Sequence, residues 1–495
     1  MGAMASLLSK ALALAAAALT VAGCATRPIN APIAQVEPKA GYRFDTRPPR
    51  DNADDTMVIL AFSGGGTRAA AFSFGVLEEL RRSEFVGARG QRARLLDEVD
   101  VITGVSGGSF TALAYGLHGE RLFDDYEQRF LKRNVQGELL GRFLAPRNWT
   151  SLLSNGWGRS EMAAELYDEI LFEGATFGDL MRRPGPLVMA TATDISTGSR
   201  LGFIQSEFDL LCSNLASVPL SRAAAASSAV PMVLSPVTIN NYGGSCGYRD
   251  PSWVRAFSDP GNRARPAGRA LQRHKEMVSF QNSAERPFLH LVDGGVSDNL
   301  GMRSVLETME SWEASRGYRR TTSLDRIRRI VVIVVNSLSV PRTDWDRSER
   351  PPSDLAILVK ATGVPIDRYS FEAVELLKDT IARWQLAAAV RESAPFAGGN
   401  NPVLARAADL PEPDVYAIDV SFEAHPDARE REYLNDLPTS FVLPDEAVDR
   451  LRTAAGVILR QSQDFRRLLQ ATGVRVVDPS PLPAAPFRPP SSAGP

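Results

Sequence analysis

The chain has 495 residues, 44% of them hydrophobic, and a formal net charge of −2. That length fits about three domains or one large α/β unit with additions, and the near-neutral charge gives no electrostatic reason to expect a nucleic-acid partner. Three cysteines and four histidines lie scattered without zinc-site spacing, and no Asp-rich calcium loop occurs, so neither metal nor cofactor is expected.

At the N-terminus Lys10 supplies a positive start, and Ala11 to Leu19 is an apolar stretch too short to span a membrane, closed by Val21-Ala22-Gly23-Cys24. This resembles a bacterial lipoprotein signal, with residues 1–23 as the signal peptide and Cys24 as the lipidated first residue of the mature chain. A buried helix, or an ordinary secretory signal with an incidental cysteine, is the alternative. Ala25 rather than Asp follows, which by analogy points to the outer membrane facing the periplasm. Residues 24–56, with their Pro and Asp content, read as a flexible tether.

Thr56 to Phe62 is a short apolar run of strand character. It breaks at Ser63-Gly64-Gly65-Gly66-Thr67-Arg68-Ala69, ahead of a helical pattern through Leu80. Three glycines at a helix start expose successive backbone N–H groups, a ready anion site, and the anion of acyl transfer is the oxygen of the tetrahedral intermediate. Gly64-x-Gly66-x-x-Ala69 also satisfies a dinucleotide fingerprint. That reading needs an acidic residue at the end of a second strand about twenty positions on, whereas Glu84 follows Arg81-Arg82-Ser83 at an apparent helix end.

Val99 to Gly104 is a second strand-like run, and Gly104-Val105-Ser106-Gly107-Gly108 then makes a Gly-x-Ser-x-Gly elbow before a helix. Such a turn exposes a serine hydroxyl, and neighbours without a Cβ admit a substrate carbonyl; an ordinary tight βα turn is the competing account. Arg129 to Leu180 carries Phe130, Leu131, Leu139, Leu140, Phe143, Trp149, Leu152, Leu153 and Trp157 among basic residues. It reads as core or as a membrane-docking lid.

Leu187 to Thr193 is a third run, and beyond it Cys212 and Cys246 could pair in an oxidising compartment or stay as buried thiols. Phe288 to Val292 leads into Asp293-Gly294-Gly295-Val296-Ser297-Asp298-Asn299, which makes Asp293 a strand-end carboxylate or a plain turn aspartate.

Taken together, the Gly64–Ala69, Gly104–Gly108 and Asp293–Gly295 motifs resemble, in that order, those of the patatin-like phospholipases, acyl hydrolases with a Ser-Asp dyad. Ala226-Ser227-Ser228-Ala229-Val230-Pro231 and the Thr193 to Gly198 turn are similar to further family stretches, and Ala69 departs from the usual glycine. The resemblance spans roughly 57–340 and implies a three-layer α/β/α fold with a mainly parallel central sheet. It implies Ser106 as nucleophile, Asp293 as base, Gly64, Gly65, Gly66 and Gly107 around the oxyanion, and Arg68 bracing that loop or meeting a phosphate. It implies hydrolysis of carboxylic esters in phospholipid or lysophospholipid at a membrane surface.

Two alternatives remain open at this level. One is an α/β-hydrolase triad of Ser106, Asp293 and His425, with His118, His274 and His290 as the other imidazoles. The other is a tethered protein of the same fold that binds lipid or a partner without turnover.

The cluster Arg316, Arg319, Arg320, Arg326, Arg328 and Arg329 reads as a solvated approach to the strand Ile330 to Asn336, or as a phospholipid contact. Residues 341–478 read as an extension that completes or caps the fold, with helices at 354–389 and 445–469 and an edge strand at 415–422. The Pro-rich tail 479–495 is expected to be disordered. The apolar runs alternating with helical stretches argue independently for a mainly parallel sheet covered on both faces.

Overall fold

The structure, a computed structural model, describes residues 27–48, 50, 55–86, 92–152, 154, 157–251, 254, 268–314, 326–341, 343, 345–392 and 413–476. The signal peptide, Cys24, Leu153, Arg316, Arg319, Arg320 and the Pro-rich tail lie outside the described residues. Eight strands form the central sheet: β1 (Thr56–Phe62), β2 (Val99–Val105), β3 (Leu187–Asp194), β4 (Ser199–Gly202), β5 (Val237–Asn240), β6 (Phe288–Asp293), β7 (Arg329–Asn336) and β8 (Asp414–Ser421). Their order is β8-β7-β1-β2-β3-β6-β5, with β4 paired to β3.

From β8 to β3 every pairing is parallel, whereas β4, β6 and β5 join antiparallel. The mainly parallel sheet therefore holds for its larger part.

Side-chain alternation explains why helices cover both faces. On β1 and β7, Leu60, Phe62, Ile333 and Val335 enter one core with α1 (Gly66–Arg82), α2 (Gly107–His118), α3 (Leu220–Ser227) and, from the C-terminal part, α6 (Asp445–Gln461). Their neighbours Ile59, Ala61, Val332 and Val334 enter the other core with α4 (Arg303–Ala314) and α5 (Asp354–Glu392). The result is a three-layer α/β/α fold. The described parts of 341–478 supply its edge strand and helices for both outer layers, so those parts are built into the fold.

Residues 27–48 depart from the tether expectation. Tyr42 is buried and its hydroxyl accepts from Val188 N–H at 2.7 Å. Arg43 pairs with Asp209 at 2.6 Å, and Arg47 donates to the Asp100 carbonyl at 2.7 Å. One aromatic and a few cations fix the segment without any periodic pattern for sequence reading to detect.

The Arg129–Leu180 stretch divides. Phe130, Leu131 and Leu139 are core, while Leu140, Leu144 and Trp149 are exposed. Cys212 and Cys246 form a disulfide.

Candidate active site

Register decides which residues meet. Val105 at the tip of β2 lies level with Thr191 of β3, and Ala192, one residue on, is paired with Asp293 of the antiparallel β6. β3 thus outruns the parallel sheet, and β6 descends along its free half to deliver Asp293 beside the residue that follows Val105.

That residue is Ser106, held at the start of α2 with φ 47° and ψ −120°. This is a strained backbone state for a residue with a side chain, and it persists only where the surroundings enforce it. Here Ser106 N–H donates to Ser227 Oγ at 2.9 Å. The Ser106 hydroxyl donates to Asp293 Oδ2 at 2.8 Å, and Asp293 Oδ1 accepts from Gly295 N–H at 2.8 Å. Asp293 N–H and Gly294 N–H bond to the Ala229 and Ser227 carbonyls, both at 3.0 Å. The Thr193 hydroxyl adds a bond to the Asp293 carbonyl at 3.0 Å. One short segment, 227–229, therefore fastens the backbone that carries both side chains.

Burial pushes the Asp293 carboxyl up to about 6, against the stabilising bonds from Gly295 and Ser106. The carboxylate is then a stronger base than an exposed aspartate, yet still ionised at neutral pH.

The glycine loop lies directly alongside. A Cβ on Gly107 would stand 2.0 Å from the Gly66 carbonyl oxygen, so the elbow and the loop touch backbone to backbone. Gly66 has φ +62°, and a Cβ there would meet the Ser440 carbonyl at 2.3 Å. Among the described residues the N–H groups of Gly65, Gly66 and Gly107 have no acceptor. Gly64 differs from the oxyanion expectation: its N–H donates to the Asn299 carbonyl at 2.9 Å, so it is not a free donor.

Arg68 is buried and faces protein acceptors. Nε donates to the Ser337 carbonyl and Nη1 to the Leu437 carbonyl, both at 2.8 Å, and Nη2 to Thr439 Oγ1 at 3.1 Å. Burial lowers its pKa to about 10, with Asp367 opposing, and it remains a cation. Thr67 N–H donates to the Ser440 carbonyl at 2.8 Å. The 437–440 segment thus clamps the glycine loop from outside, through the bracing arm of the expectation for Arg68.

None of the four histidines bonds to Ser106 or Asp293. His118 Nε2 meets the Leu171 carbonyl, His274 faces Asp250, and His290 Nδ1 meets Thr238 Oγ1. His425 sits beyond β8 at the opposite sheet edge, bonded to Asp427 N–H at 3.2 Å. The Ser106-Asp293-His425 triad is therefore not assembled. The dinucleotide reading also fails, since Glu84 lies in a small antiparallel sheet facing Arg94 and Arg475.

Sequence reading missed Asn299, whose Oδ1 would stand 2.5 Å from a Cβ at Gly64 and 2.9 Å from one at Gly295. Its place six positions after Asp293 was the available signal. The contribution of Leu437, Thr439 and Ser440 had no local signal.

Several known proteins resemble this chain. A family model described as patatin-like phospholipase matches residues 60–306. No curated protein matches. Among solved structures, human GIVD cytosolic phospholipase A2 in complex with methyl gamma-linolenyl fluorophosphonate aligns at 14% identity and TM-score 0.41, over 86% of this chain and 60% of that one. The type III effector ExoU aligns at 15% and 0.20, over 86% and 76% of the two chains. VipD from Legionella pneumophila aligns at 9% and 0.23, over 86% and 71%. This chain spans 60% of the human enzyme's length.

The clamp predicts that Thr439→Val, which removes an acceptor from Arg68, slows ester hydrolysis by about tenfold with KM little changed, a smaller loss than the roughly hundred- to thousandfold of deleting an oxyanion donor outright. Thr439→Ser should restore the rate. Stopped-flow ester hydrolysis with a matched thermal melt checks this, and equal rates for both variants and wild type would refute the positioning role.

Proposed function

Residues 60–306 belong to the patatin-like phospholipase family, and from that premise we propose that the chain is a lipid acyl hydrolase of phospholipase A or lysophospholipase type, acting on carboxylic esters. The observation that carries this reading is the 2.8 Å bond from Ser106 Oγ to Asp293 Oδ2.

In the proposed cycle Asp293 takes the hydroxyl proton as Ser106 Oγ attacks the ester carbonyl. The N–H groups of Gly65, Gly66 and Gly107 receive the negative oxygen. Collapse of the tetrahedral intermediate expels the alcohol, which takes the proton from Asp293, and leaves an acyl-serine. The carboxylate then deprotonates a water that releases the fatty acid. A base raised to about 6 suits this double duty, since a carboxyl at its ordinary strength would hold the proton too weakly.

We further propose that Cys24 is lipidated and holds the protein at the periplasmic side of the outer membrane. The sequence Val21-Ala22-Gly23-Cys24 supports this.

A fluorescent fluorophosphonate should label wild type and not Ser106→Ala, whose turnover should fall by roughly 10⁴-fold or more. Equal labelling of both would sink the assignment, and mass spectrometry of products from defined phospholipids and lysophospholipids reads the substrate.

The kcat/KM profile should lose activity as pH falls through about 6. The same shift has a stability consequence. The folded carboxyl keeps its proton up to about 6 while the unfolded one releases it near 3.8, so stability declines as pH rises through that window. Asp293→Asn should be inactive yet should remove this decline, as denaturant titrations at pH 4 and pH 8 would show.

Radioactive palmitate fed to producing bacteria should mark wild type and not Cys24→Ala; equal labelling would discard the anchor.

A further inference from the structure

The antiparallel end of the sheet projects past the candidate site. Phe288 opens β6 five residues before Asp293 and pairs with Asn240 at the end of β5, so at about 3.3 Å per residue this tip stands roughly 17 Å beyond the dyad. It lies at the end of the parallel strands that carries Ser106. Its apolar side chains face solvent: Phe288 is 49% exposed, Ile195 is 49% exposed beside the His290 carbonyl that its N–H meets, and Ile29 is 66% exposed. A groove of about 430 Å³ between Trp157, Pro236 and Phe288 opens beside them.

The chain also enters the fold here. Arg27 donates to the Thr238 carbonyl at 3.2 Å and to Asn240 Oδ1, and its guanidinium lies 5.5 Å from the centre of the Phe288 ring. Asn30 locks the same edge through bonds to Asn240 N–H and the Asn240 carbonyl at 2.8 and 2.9 Å. Cys24 precedes Arg27 by three residues, so their Cα atoms lie within about 11 Å of one another.

We propose that this tip, Ile29 with Ile195 and Phe288, is the surface that docks on a phospholipid leaflet, turning the end of the sheet that carries Ser106 toward the membrane. The proposal rests on the lipid-hydrolase and Cys24 readings. An anchor confined to the neighbourhood of Arg27 brings this tip to the bilayer surface before any other part of the sheet. Exposed apolar side chains grouped there gain by leaving water, and the Arg27 guanidinium meets anionic headgroups. A protein anchored on a docked tethering segment is oriented by it, whereas a free tether would leave all orientations open.

The test uses the full lipidated chain in vesicles of phosphatidylethanolamine and phosphatidylglycerol. Hydrogen exchange, which needs no turnover, should show protection of the peptides bearing Ile29, Ile195 and Phe288 in vesicles relative to detergent. Ile195→Glu with Phe288→Glu should cut fatty-acid release from vesicles by about tenfold or more, while hydrolysis of a dissolved short-chain ester stays within about twofold.

Unprotected tip peptides, or unchanged vesicle turnover in the double variant, would overturn the docking surface. So would a change in oligomeric state by light scattering, which would assign the tip to a second copy. Should both substrates fail together, Ile29→Glu decides, and it must lower vesicle turnover selectively or the proposal falls. Loss of the hydrolase reading has its own signature, no fluorophosphonate labelling and no turnover of the dissolved ester by wild type, with the exchange result unaffected.

Discussion

A carboxyl group sits buried beside a serine hydroxyl, and among the described residues no cation is in contact to neutralise it. Asp293 is 8% exposed, and its charge is met by two hydrogen bonds, from Ser106 and Gly295. Removing a carboxylate from water costs several kcal/mol after relaxation, so the bonds must be kept at full strength by geometry. That requirement accounts for the cross-bracing around the dyad. Ser227 holds the Ser106 amide while the Ser227 and Ala229 carbonyls hold the amides of Gly294 and Asp293. Thr193 adds its hydroxyl from the protruding half of β3. The same fastening holds Ser106 in its strained backbone state, so strain and desolvation are borne by one set of contacts.

The glycine loop is supported from much further along the chain. Arg68 on the first turn of α1 reaches Ser337 after β7 and Leu437 and Thr439 after β8. The edge strand β8 and its neighbour β7 thus feed their following loops onto the glycine loop. This gives a physical reason for the C-terminal residues to be part of the same body: without the Ser440 carbonyl the Thr67 amide loses its acceptor, and without the 437–439 acceptors a buried guanidinium keeps only its bond to the Ser337 carbonyl. An unsatisfied buried cation is among the costlier defects a fold can carry.

Much of this was legible in sequence because the decisive features are local. Gly64-Gly65-Gly66, the elbow around Ser106 and the Asp293-Gly294-Gly295 break are turn chemistries that a few adjacent residues dictate. The five long apolar runs became β1, β2, β3, β6 and β7 within a residue or so: in four of them Val, Ile, Leu and Ala buried on both faces leave little choice, and β6 alternates, with Phe288 and His290 exposed and Leu289 and Leu291 buried. What stayed illegible depends on distant partners. The antiparallel direction of β6 is written in no residue of Phe288 to Asp293; it follows from β3 outrunning its neighbours. The four-residue β4 and β5 carry no periodicity long enough to read. Asn299 and Thr439 matter only by what folding sets beside them. Gly64 looked equivalent to its neighbours because the Asn299 carbonyl that occupies its amide comes from far along the chain.

The antiparallel end of the sheet also explains why the N-terminal segment lies where it does. Crossover helices cover the faces of a parallel block and leave strand edges open, and the outer edge of β5, paired only to β6, needs covering. Asn30 answers with a side chain that mimics a neighbouring strand, accepting from Asn240 N–H and donating to the Asn240 carbonyl. Ile33 N–H continues along the Cys212 carbonyl, beside the disulfide that ties Cys212 to Cys246. The device that brings Asp293 down to Ser106 therefore creates an open edge, and covering that edge fixes the direction from which the chain arrives. The meeting of Ser106 with Asp293 and the placement of the N-terminal segment are two consequences of one reversal in strand direction.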